Sequence, residues 1–533
     1  MRWKRTVSIG PNGPGQQPAP ALTLVLVRPA VDRLTAEDRL ILWPDELWPQ
    51  DVGVLSVLDG GGLLESDGRF RIEVARKAIE ARLHLLPRFR QTLYLPRRGL
   101  GGPLWVDAPH FDVRDHVQVA QLPIPGDEAQ LLQTTEQLRR RRLDRSRPLW
   151  EAWFLPGLPD NRIGMFVRLH HVVADGMAGV ATLGALLDAG DVTPALPQPW
   201  TPAPRPNARD LLADNLRRQM NELGGWVARL GRPVDTVRRI EAAWPAMREL
   251  FAEKPGPRTS LDHVIGPRRT LGLIRGNLQV TEQIAHAHAA TVNDVLLAVI
   301  AGGLRALLHS RGERIEDVHL PIYVPVSLRR DRAAGSAGNL ITQMVVPLSL
   351  GITDPARRLR EIATETARRK SITRPSLGTM FHGKVTRLVM LKLIARQRVN
   401  VVTADLPGPQ QPLYFAGSQL LEIFPLVNLL GNESLGVGAL SYAGQFNLMA
   451  VGDTDAYPDI EVFVAGVQDE CGHSAHRPPL ARPPAQRRPD QCGRSSAGFG
   501  LLESRHTSRA PRRSGTNHER LPAPSRPDCP WSG

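Results

Sequence analysis

Cysteine is scarce in this chain of 533 residues, since all three cysteines, Cys471, Cys492 and Cys529, lie within the last 63 positions. The chain from Met1 to Glu470 therefore has no disulfide, no cysteine nucleophile and no thiolate metal site. Such a long stretch without cysteine is compatible with a reducing compartment.

Long apolar runs are also missing. No run of about 18 or more apolar residues occurs, so the sequence predicts no membrane-spanning helix. The apolar run over residues 21–27 is short and follows a start rich in glycine and proline, so no secretion signal is predicted. We expect residues 1–31 to be a disordered leader.

Acidic residues are fewer than basic ones, and the net charge is +14 at pH 7 with a pI near 10.5. A basic chain favours anionic partners, such as nucleic acid, an anionic membrane or an anionic small molecule. Half of the excess lies in residues 471–533, which hold 11 arginines against four acidic residues and show no sustained hydrophobic period. We expect this segment to be a disordered basic tail, best explained by a shifted reading frame; the alternative is a natural tail that binds anionic lipid.

Two adjacent histidines stand at the most informative point of the sequence, which reads His170-His171-x-x-x-Asp175-Gly176. The preceding run, Arg162–Val167, is apolar and β-prone, and apolar residues at helical spacing follow the motif. The histidines thus leave the end of a predicted buried strand and enter a turn. Because neighbouring side chains of a strand point to opposite faces, both histidines cannot face one substrate, and one of them should be structural.

A neutral imidazole at such a turn permits general base catalysis, in which it takes a proton from a hydroxyl that attacks a carbonyl. Asp175 can fix the loop by pairing with an arginine, and Gly176 allows close backbone approach. A structural alternative stays open, because Asp-Gly is a common turn pair and Asp175 can cap the following helix. Adjacent histidines can also bind a metal ion, but no third ligand lies at suitable spacing, so no metal is predicted.

The motif from His170 to Gly176 resembles the active-site motif of the CoA-dependent acyltransferase superfamily, which includes chloramphenicol acetyltransferases and peptide-synthetase condensation domains. Three further segments narrow the resemblance to the bacterial wax ester synthase/diacylglycerol acyltransferase family, in particular its actinobacterial triacylglycerol synthases. They are Arg147-Pro148-Leu149-Trp150-Glu151, Asn293-Asp294-Val295-Leu296-Leu297 and Val324-Pro325-Val326-Ser327-Leu328-Arg329. The resemblance runs from about residue 32 to about residue 469.

This resemblance implies an α/β fold of two chloramphenicol-acetyltransferase-like domains with an active-site cleft between them, whereas periodicity alone indicates only mixed α/β structure. We expect an N-terminal domain over residues 32–190, which carries the histidine motif, and a C-terminal domain over residues 266–470. Residues 191–265 are predicted to form a linker that begins with a proline-rich connector.

The linker contains an apolar stripe at helical spacing, accompanied by arginines. Its members are Leu212, Leu216, Met220, Leu223, Val227 and Leu230. The favoured interpretation is a helix that packs against the body of the protein. The alternative is a basic amphipathic helix that rests on a lipid surface, which an enzyme with water-insoluble substrates needs.

By resemblance, His171 is the general base and the remaining motif residues hold it in place. The residues with this structural role are His170, Asp175, Gly176 and Arg90. Arg90 is the first candidate partner of Asp175, and Arg329 is the second.

The resemblance also places a group of residues at the substrate: Pro148, Leu149, Trp150 and Asn293. Asn293 is a candidate donor to the oxyanion of the tetrahedral intermediate. Thr291 and Asp294 stand three positions apart and resemble a capping box, which is a sufficient structural reason for Asp294.

The C-terminal half shows strand patterns over Ile322–Val326, Gly436–Leu440, Gln445–Val451 and Ile460–Val464, which predict a second sheet. Asp405 stands where the family usually has asparagine, and this puts an amide hydrogen bond at that position in doubt. The final helix of the family is expected to be lost, because the regular pattern stops after residue 470.

Together these features predict an O-acyltransferase that moves a long-chain acyl group from acyl-CoA to the hydroxyl of diacylglycerol, and in some cases of a fatty alcohol. Acyl-CoA is the donor substrate, and neither a cofactor nor a nucleic-acid partner is expected. The predicted location is cytoplasmic, peripherally on the inner membrane or on lipid inclusions. Two alternatives stay open: an acyltransferase of the same fold with another acceptor or a carrier-bound donor, and a catalytically silent lipid-surface protein.

Overall fold

A computed structural model describes residues 31–174, 176–190, 199–230, 241, 258–327, 341–371 and 399–472. The predicted leader before residue 31, the tail from residue 473 and a helix expected over residues 377–398 lie outside these ranges. The described α-helices are α1 (Ala36–Leu42), α2 (Ile72–Arg82), α3 (Glu128–Arg139), α4 (Gly176–Leu186), α5 (Ala208–Leu230), α6 (Leu278–Ala287), α7 (Val292–Ser310), α8 (Pro355–Lys370) and α9 (Ile460–Glu470).

The described strands fall into two large sheets and one hairpin. They are β1 (Asp51–Asp59), β2 (Gln91–Tyr94), β3 (Leu104–Asp107), β4 (Val117–Val119), β5 (Trp150–Leu158), β6 (Arg162–His170), β7 (Arg269–Asn277), β8 (His319–Ser327), β9 (Ile341–Ser349), β10 (Val401–Pro407), β11 (Tyr414–Phe415), β12 (Ser418–Leu426), β13 (Leu435–Tyr442) and β14 (Gln445–Asp453). The pair β2 and β3 is the hairpin.

The first sheet has the strand order β11-β12-β1-β6-β5-β4 and carries the histidine motif at the end of β6. Strand β6 is buried along almost its whole length because apolar clusters cover both faces of the sheet, which explains its unbroken apolar run. Strand β1 pairs antiparallel with β6 and sets Asp51 opposite His170. Since β11 and β12 come from the later part of the chain, the predicted C-terminal domain contributes two strands to the first sheet.

The second sheet has the strand order β7-β14-β13-β10-β8-β9, with helix α7 buried against it. The predicted capping box starts this helix, because Thr291 Oγ1 accepts from Asp294 N at 3.3 Å and Asp294 Oδ2 accepts from Thr291 N at 2.8 Å. Among the described residues, α7 is the one helix long and apolar enough to cross a membrane, and 72% of its apolar window is buried inside the protein. Its apolar character is therefore used by the core of this half.

The predicted strand over Ile460–Val464 is wrong, because these residues form the first turns of helix α9. The local order Ile-Glu-Val-Phe-Val imitates a strand, yet the buried residues are Ile460, Phe463 and Val467, at helical spacing. Gly466 lets α9 approach α7 closely, since a Cβ at that position would meet the Cα of Gly303 at 3.1 Å. Helix α9 ends at Glu470, and the expected loss of a helix after this point stays a prediction because residues from 473 lie outside the described ranges.

The linker forms helix α5, which packs against the body as predicted, but the described residues of its apolar stripe do not make this contact. Leu212, Leu216, Met220 and Leu223 are 44%, 52%, 67% and 59% exposed on helix α5. The helix contacts the body through other residues, among them Leu211, which is 1% exposed. Periodicity predicts that an apolar face exists but not whether the body of the protein covers it.

Contacts between the two halves are both ionic and apolar. Arg275 on β7 donates from Nε to Glu422 Oε1 at 2.7 Å and from Nη2 to Glu128 Oε2 at 2.7 Å. Burial opposes the charge of Arg275, but these two carboxylates outweigh it and raise the pKa of the guanidinium. Phe166 of β6 and Met449 of β14 belong to one apolar cluster, so the halves share a core beside the histidine motif.

Candidate active site

The ring of His170 is held by the turn that it begins. His170 is the last residue of β6 and is 2% exposed. Its Nδ1 accepts a hydrogen bond from Val172 N at 3.1 Å, so the ring proton belongs on Nε2 in the neutral form. The backbone is fixed as well, because His170 N donates to Leu149 O at 3.0 Å and Val173 N donates to His170 O at 2.8 Å.

A carboxylate that the sequence did not reveal faces the other nitrogen of this ring. His170 Nε2 lies 3.2 Å from Asp45 Oδ1, and Asp45 also accepts hydrogen bonds from Gln50 N at 2.8 Å and from Arg145. Burial raises the pKa of Asp45, but His170, Arg145 and Gln50 outweigh that effect and hold this pKa well below its usual range. Both ring nitrogens of His170 therefore face groups of the protein itself, as expected for a structural histidine.

His171 follows in the turn and is half-buried. Its backbone N donates to Gln50 O at 2.8 Å. The side-chain Oε1 of the same Gln50 accepts from Asn428 Nδ2 at 2.7 Å, and Asn428 follows β12 in the C-terminal part of the chain. The position of His171 is thus fixed by residues from two distant parts of the sequence, and neither Gln50 nor Asn428 carries a motif that would have identified it.

A buried ion network supports the end of β6 at Arg168, two residues before His170. Arg168 is 1% exposed and donates to Glu151 Oε2 at 2.8 Å and to the carbonyls of Arg139 and Arg141 at 2.9 and 2.6 Å. Its Nη1 also lies 3.5 Å from Asp51 Oδ2. Burial raises the pKa of Asp51, and the charge of Arg168 opposes that rise. This network joins β6, β5, β1 and the end of α3 directly behind the histidines.

The predicted substrate residues Pro148, Leu149 and Trp150 lie beside the motif in the fold. Leu149 accepts the hydrogen bond from His170 N, and Trp150 is fully buried. The Trp150 ring stacks on Phe89 at 4.4 Å and on His116 at 4.7 Å between ring centroids. The Trp150 side chain therefore lies in the core of the first half, and a direct contact with substrate stays a prediction for all three residues.

Asp175 lies outside the described residues, and so does Arg329. Gly176 begins helix α4, which follows the turn as predicted. Arg90 is 7% exposed, and its guanidinium carbon lies 5.1 Å from the centroid of the Trp200 ring. Burial lowers the pKa of Arg90, while the charge of Glu80 opposes this. The pairing of Arg90 with Asp175 stays a prediction.

Asn293 is the second residue of α7 and is half-buried. Its role as an oxyanion donor stays a prediction. Its neighbour Asp294 is used structurally, because besides its capping contacts it accepts from Thr366 Oγ1 at 2.6 Å.

Two further carboxyl groups of the second half lie away from water, Asp405 half-buried and Glu433 buried. Burial raises the pKa of Asp405 on β10 to about 6, with Lys370 opposing the rise. Burial raises the pKa of Glu433 to about 8, opposed only by a backbone hydrogen bond at Leu430. Glu433 lies in the segment between β12 and β13, where the chain returns from the first sheet to the second.

This arrangement suits one defined proton-transfer step. A histidine in a turn that two halves of the protein fix can hold its ring nitrogen at a constant distance from a bound hydroxyl, as general base catalysis requires. The preceding histidine secures the turn through Asp45.

Comparison with known proteins gives the family. Residues 34–296 match the model of the wax ester synthase/diacylglycerol acyltransferase catalytic domain, and residues 337–472 match the C-terminal domain of the same family. Together the two matches cover most of the chain.

Curated relatives carry the name diacylglycerol O-acyltransferase. The probable diacylglycerol O-acyltransferase tgs1 of Mycobacterium tuberculosis is 29% identical over 439 residues, which cover 78% of this chain and 89% of that protein. A putative diacylglycerol O-acyltransferase of the same organism is 28% identical over 457 residues, covering 81% of this chain and 88% of that protein.

Solved structures agree on the fold. The wax ester synthase/diacylglycerol acyltransferase from Marinobacter aquaeolei VT8 superposes with a TM-score of 0.57 at 22% identity, covering 83% of this chain and 100% of that one. The first condensation domain of the calcium-dependent antibiotic synthetase gives a TM-score of 0.54 at 16% identity, with 83% and 96% coverage. The predicted α/β fold with two chloramphenicol-acetyltransferase-like halves is confirmed, and the chain belongs to the wax ester synthase/diacylglycerol acyltransferase family, a family of O-acyltransferases.

Proposed function

We propose that this protein transfers a long-chain acyl group from acyl-CoA to the free hydroxyl of diacylglycerol, with fatty alcohols as second acceptors, and that His171 is the general base. The observation that carries the proposal is the division between the two histidines. Both ring nitrogens of His170 face protein groups, Val172 N and Asp45, and this supports His171 as the residue that transfers the proton. The names of the mycobacterial relatives support diacylglycerol as the acceptor.

The proposed reaction is one acyl transfer through a tetrahedral intermediate. His171 takes the proton from the acceptor hydroxyl while its oxygen attacks the thioester carbonyl of acyl-CoA. The intermediate collapses with cleavage of the carbon–sulfur bond, and the CoA thiolate receives the proton from the His171 imidazolium. Neither a metal nor a cofactor is part of the proposed step.

The neighbouring residues are proposed to fix this geometry. Gln50 and Asn428 hold the backbone of His171 through bonds of 2.8 and 2.7 Å. Asp175, paired with Arg90, is proposed to hold the turn on its other side, and Asn293 to donate to the oxyanion. Loss of one oxyanion donor costs roughly 10²–10³ in rate in comparable enzymes.

The proposed partners are acyl-CoA and a lipid alcohol, with no nucleic acid. Because diacylglycerol and fatty alcohols stay in a lipid phase, we propose a cytoplasmic protein that associates peripherally with the inner membrane or with lipid inclusions. The basic net charge of +14 supports an anionic surface or the anionic CoA moiety as a partner.

An acyltransferase with a carrier-bound donor is the second candidate, favoured by the fold shared with a condensation domain. One experiment separates the two. The purified protein receives a long-chain acyl-CoA or the same acyl group on a carrier protein, with diacylglycerol or hexadecanol, and thiol release and lipid products are measured. The proposal requires thiol release from acyl-CoA together with triacylglycerol; ester formation only from the carrier-bound donor would contradict it.

A further inference from the structure

We infer that the outward face of helix α5, together with the adjoining β2–β3 hairpin, is the surface by which this protein docks on an anionic phospholipid membrane. This inference deepens the proposed function and rests on it for the lipid nature of the partner. We call this surface the docking face; its residues are Leu95, Arg97, Arg98, Arg209, Leu212, Leu216, Arg217, Met220 and Leu223.

Helix α5 has two separate faces. At about 100° of rotation per residue, its four exposed apolar residues fall within an arc of about 80°. They are Leu212, Leu216, Met220 and Leu223, exposed by 44–67%. The residues that bind the helix to the body are centred about 150° away from this arc. The helix is therefore held from behind and presents its apolar face outward.

The attachment of α5 to the body is specific. Asp214 Oδ2 accepts from Arg33 Nε at 2.6 Å, and the Arg33 guanidinium also donates to Gly102 O at 2.6 Å and to Leu211 O at 3.1 Å. Asn215 Nδ2 donates to Gly99 O at 3.0 Å. Both glycines belong to the β2–β3 hairpin, so the hairpin and the helix are fixed side by side.

The hairpin loop flanks α5 on its attached side and brings further exposed residues next to the helix. Leu95 is 60% exposed, and Arg97 and Arg98 are exposed on the loop that follows it. Because Asn215 bonds to Gly99 in this loop, the two arginines lie next to α5 rather than elsewhere on the molecule.

The charged residues of α5 nearest to the apolar arc are arginines, which favours an anionic lipid. Arg209 falls within the arc and Arg217 lies about 60° outside it. The acidic residues Asp210, Asp214 and Glu222 all lie at least about 80° outside the arc. The docking face thus combines exposed apolar side chains with arginines and without a carboxylate, as an amphipathic helix on an anionic membrane requires.

Sedimentation of the full chain with lipid vesicles tests the inference. Vesicles of phosphatidylcholine mixed with phosphatidylglycerol are compared with vesicles of phosphatidylcholine alone. The wild type should bind the mixed vesicles, and Leu216→Glu/Met220→Glu should lower that binding by at least about tenfold, because two large apolar side chains no longer enter the interface. The matched control, Ile124→Glu/Val264→Glu, changes two side chains that are 98% and 67% exposed elsewhere and should bind like the wild type.

The arginines test the charge component separately. Arg97→Gln/Arg98→Gln should weaken binding to the mixed vesicles by about fivefold per arginine at low salt, and high salt should remove the difference. Circular dichroism and transfer to detergent-dispersed diacylglycerol show that each variant is folded.

Several outcomes would overturn the inference. The first is a wild type that does not bind the mixed vesicles, and the second is a Leu216→Glu/Met220→Glu variant that binds them as tightly as the wild type. The third is equal binding of the wild type to phosphatidylcholine alone, which would point to a neutral lipid surface. If the wild type is dimeric in solution and the Leu216→Glu/Met220→Glu variant is monomeric, a second copy of the chain covers the docking face. His171→Ala should bind vesicles normally while inactive, so absence of acyl transfer tests the proposed function and leaves the docking result standing.

Discussion

The end of strand β6 and helix α7 are both buried, but the first buries charged side chains and the second mainly apolar ones. Strand β6 ends in Arg168 and His170, whose side chains are 1% and 2% exposed and are engaged by carboxylates and backbone carbonyls. Helix α7 buries apolar side chains and glycine from Val295 to Leu304, and again at Leu307 and Leu308. Buried charge is costly unless it is paired, so the paired side chains of Arg168 and His170 hold the end of β6 in one geometry.

The largest stability effect is expected from Arg168→Met, which removes the cation of the ion network at the end of β6. The substitution leaves Asp51 and Glu151 without their cation and should cost about 3–5 kcal/mol of unfolding free energy. Chemical denaturation measures this, with Arg69→Met as the matched control. Arg69 is 76% exposed beside Glu65, where water screens the ion pair, so its loss should leave the unfolding free energy close to that of the wild type. Equal costs for both variants would mean that the buried network does not stabilise the fold.

A substitution in α7 should disturb apolar packing and leave the rate of acyl transfer unchanged. At Gly303 a Cβ would meet Val467 Cγ2 at 2.4 Å and Phe463 O at 2.8 Å, so Gly303→Val forces α7 and α9 apart. The expected cost is about 1–3 kcal/mol of unfolding free energy. The rate per folded molecule should stay close to that of the wild type, whereas Arg168→Met should lower both stability and rate. A large loss of rate at unchanged stability for Gly303→Val would contradict the division between the two regions.

Local signals explain what the sequence predicted well. The strand before His170, the helix after the turn and the Thr291–Asp294 capping box each depend on residues a few positions apart. The family resemblance supplied the two-domain fold.

Long-range contacts explain what the sequence did not predict. Asp45 and Gln50 meet the motif across more than a hundred residues, and Asn428 does so by the return of β12 to the first sheet. Helix α9 was missed because a short run of β-branched residues imitates a strand, and the exposed face of α5 because periodicity does not report what covers a face.

A pH-dependent effect is expected at Glu433, the buried carboxyl of the segment that joins the two sheets. Burial raises its pKa from 4.5 to about 8, so the unfolded chain releases this proton at a lower pH than the folded protein. The stability contributed by the protonated form is therefore complete below pH 4.5 and is lost as the pH rises through about 8.

Glu433→Gln should remove this slope and make the protein more stable than the wild type at pH 8. The difference in unfolding free energy between Glu433→Gln and the wild type should be larger at pH 8 than at pH 5 by an amount on the order of 1–3 kcal/mol. Urea denaturation at the two pH values measures it, and Glu65→Gln, with its side chain 46% exposed, is the control. The same pH dependence in wild type and Glu433→Gln would contradict the assignment.

The smallest effect is expected from removal of residues 473–533, which follow the last described helix. Because the sequence of this segment predicts no core, soluble yield and specific activity should stay within about twofold of those of the full chain. A collapse of both quantities would show that the segment contributes to the folded protein.

The paired variants His171→Ala and His170→Ala test the central claim most directly, because they separate the two histidines that stand side by side in the motif. Initial rates with acyl-CoA and diacylglycerol are measured together with thermal unfolding. The account predicts a rate loss of about 10²–10⁴ for His171→Ala at unchanged stability, and for His170→Ala a smaller loss of rate with a clear loss of stability. His171→Ala retaining more than about a tenth of the wild-type rate would contradict its role as the base.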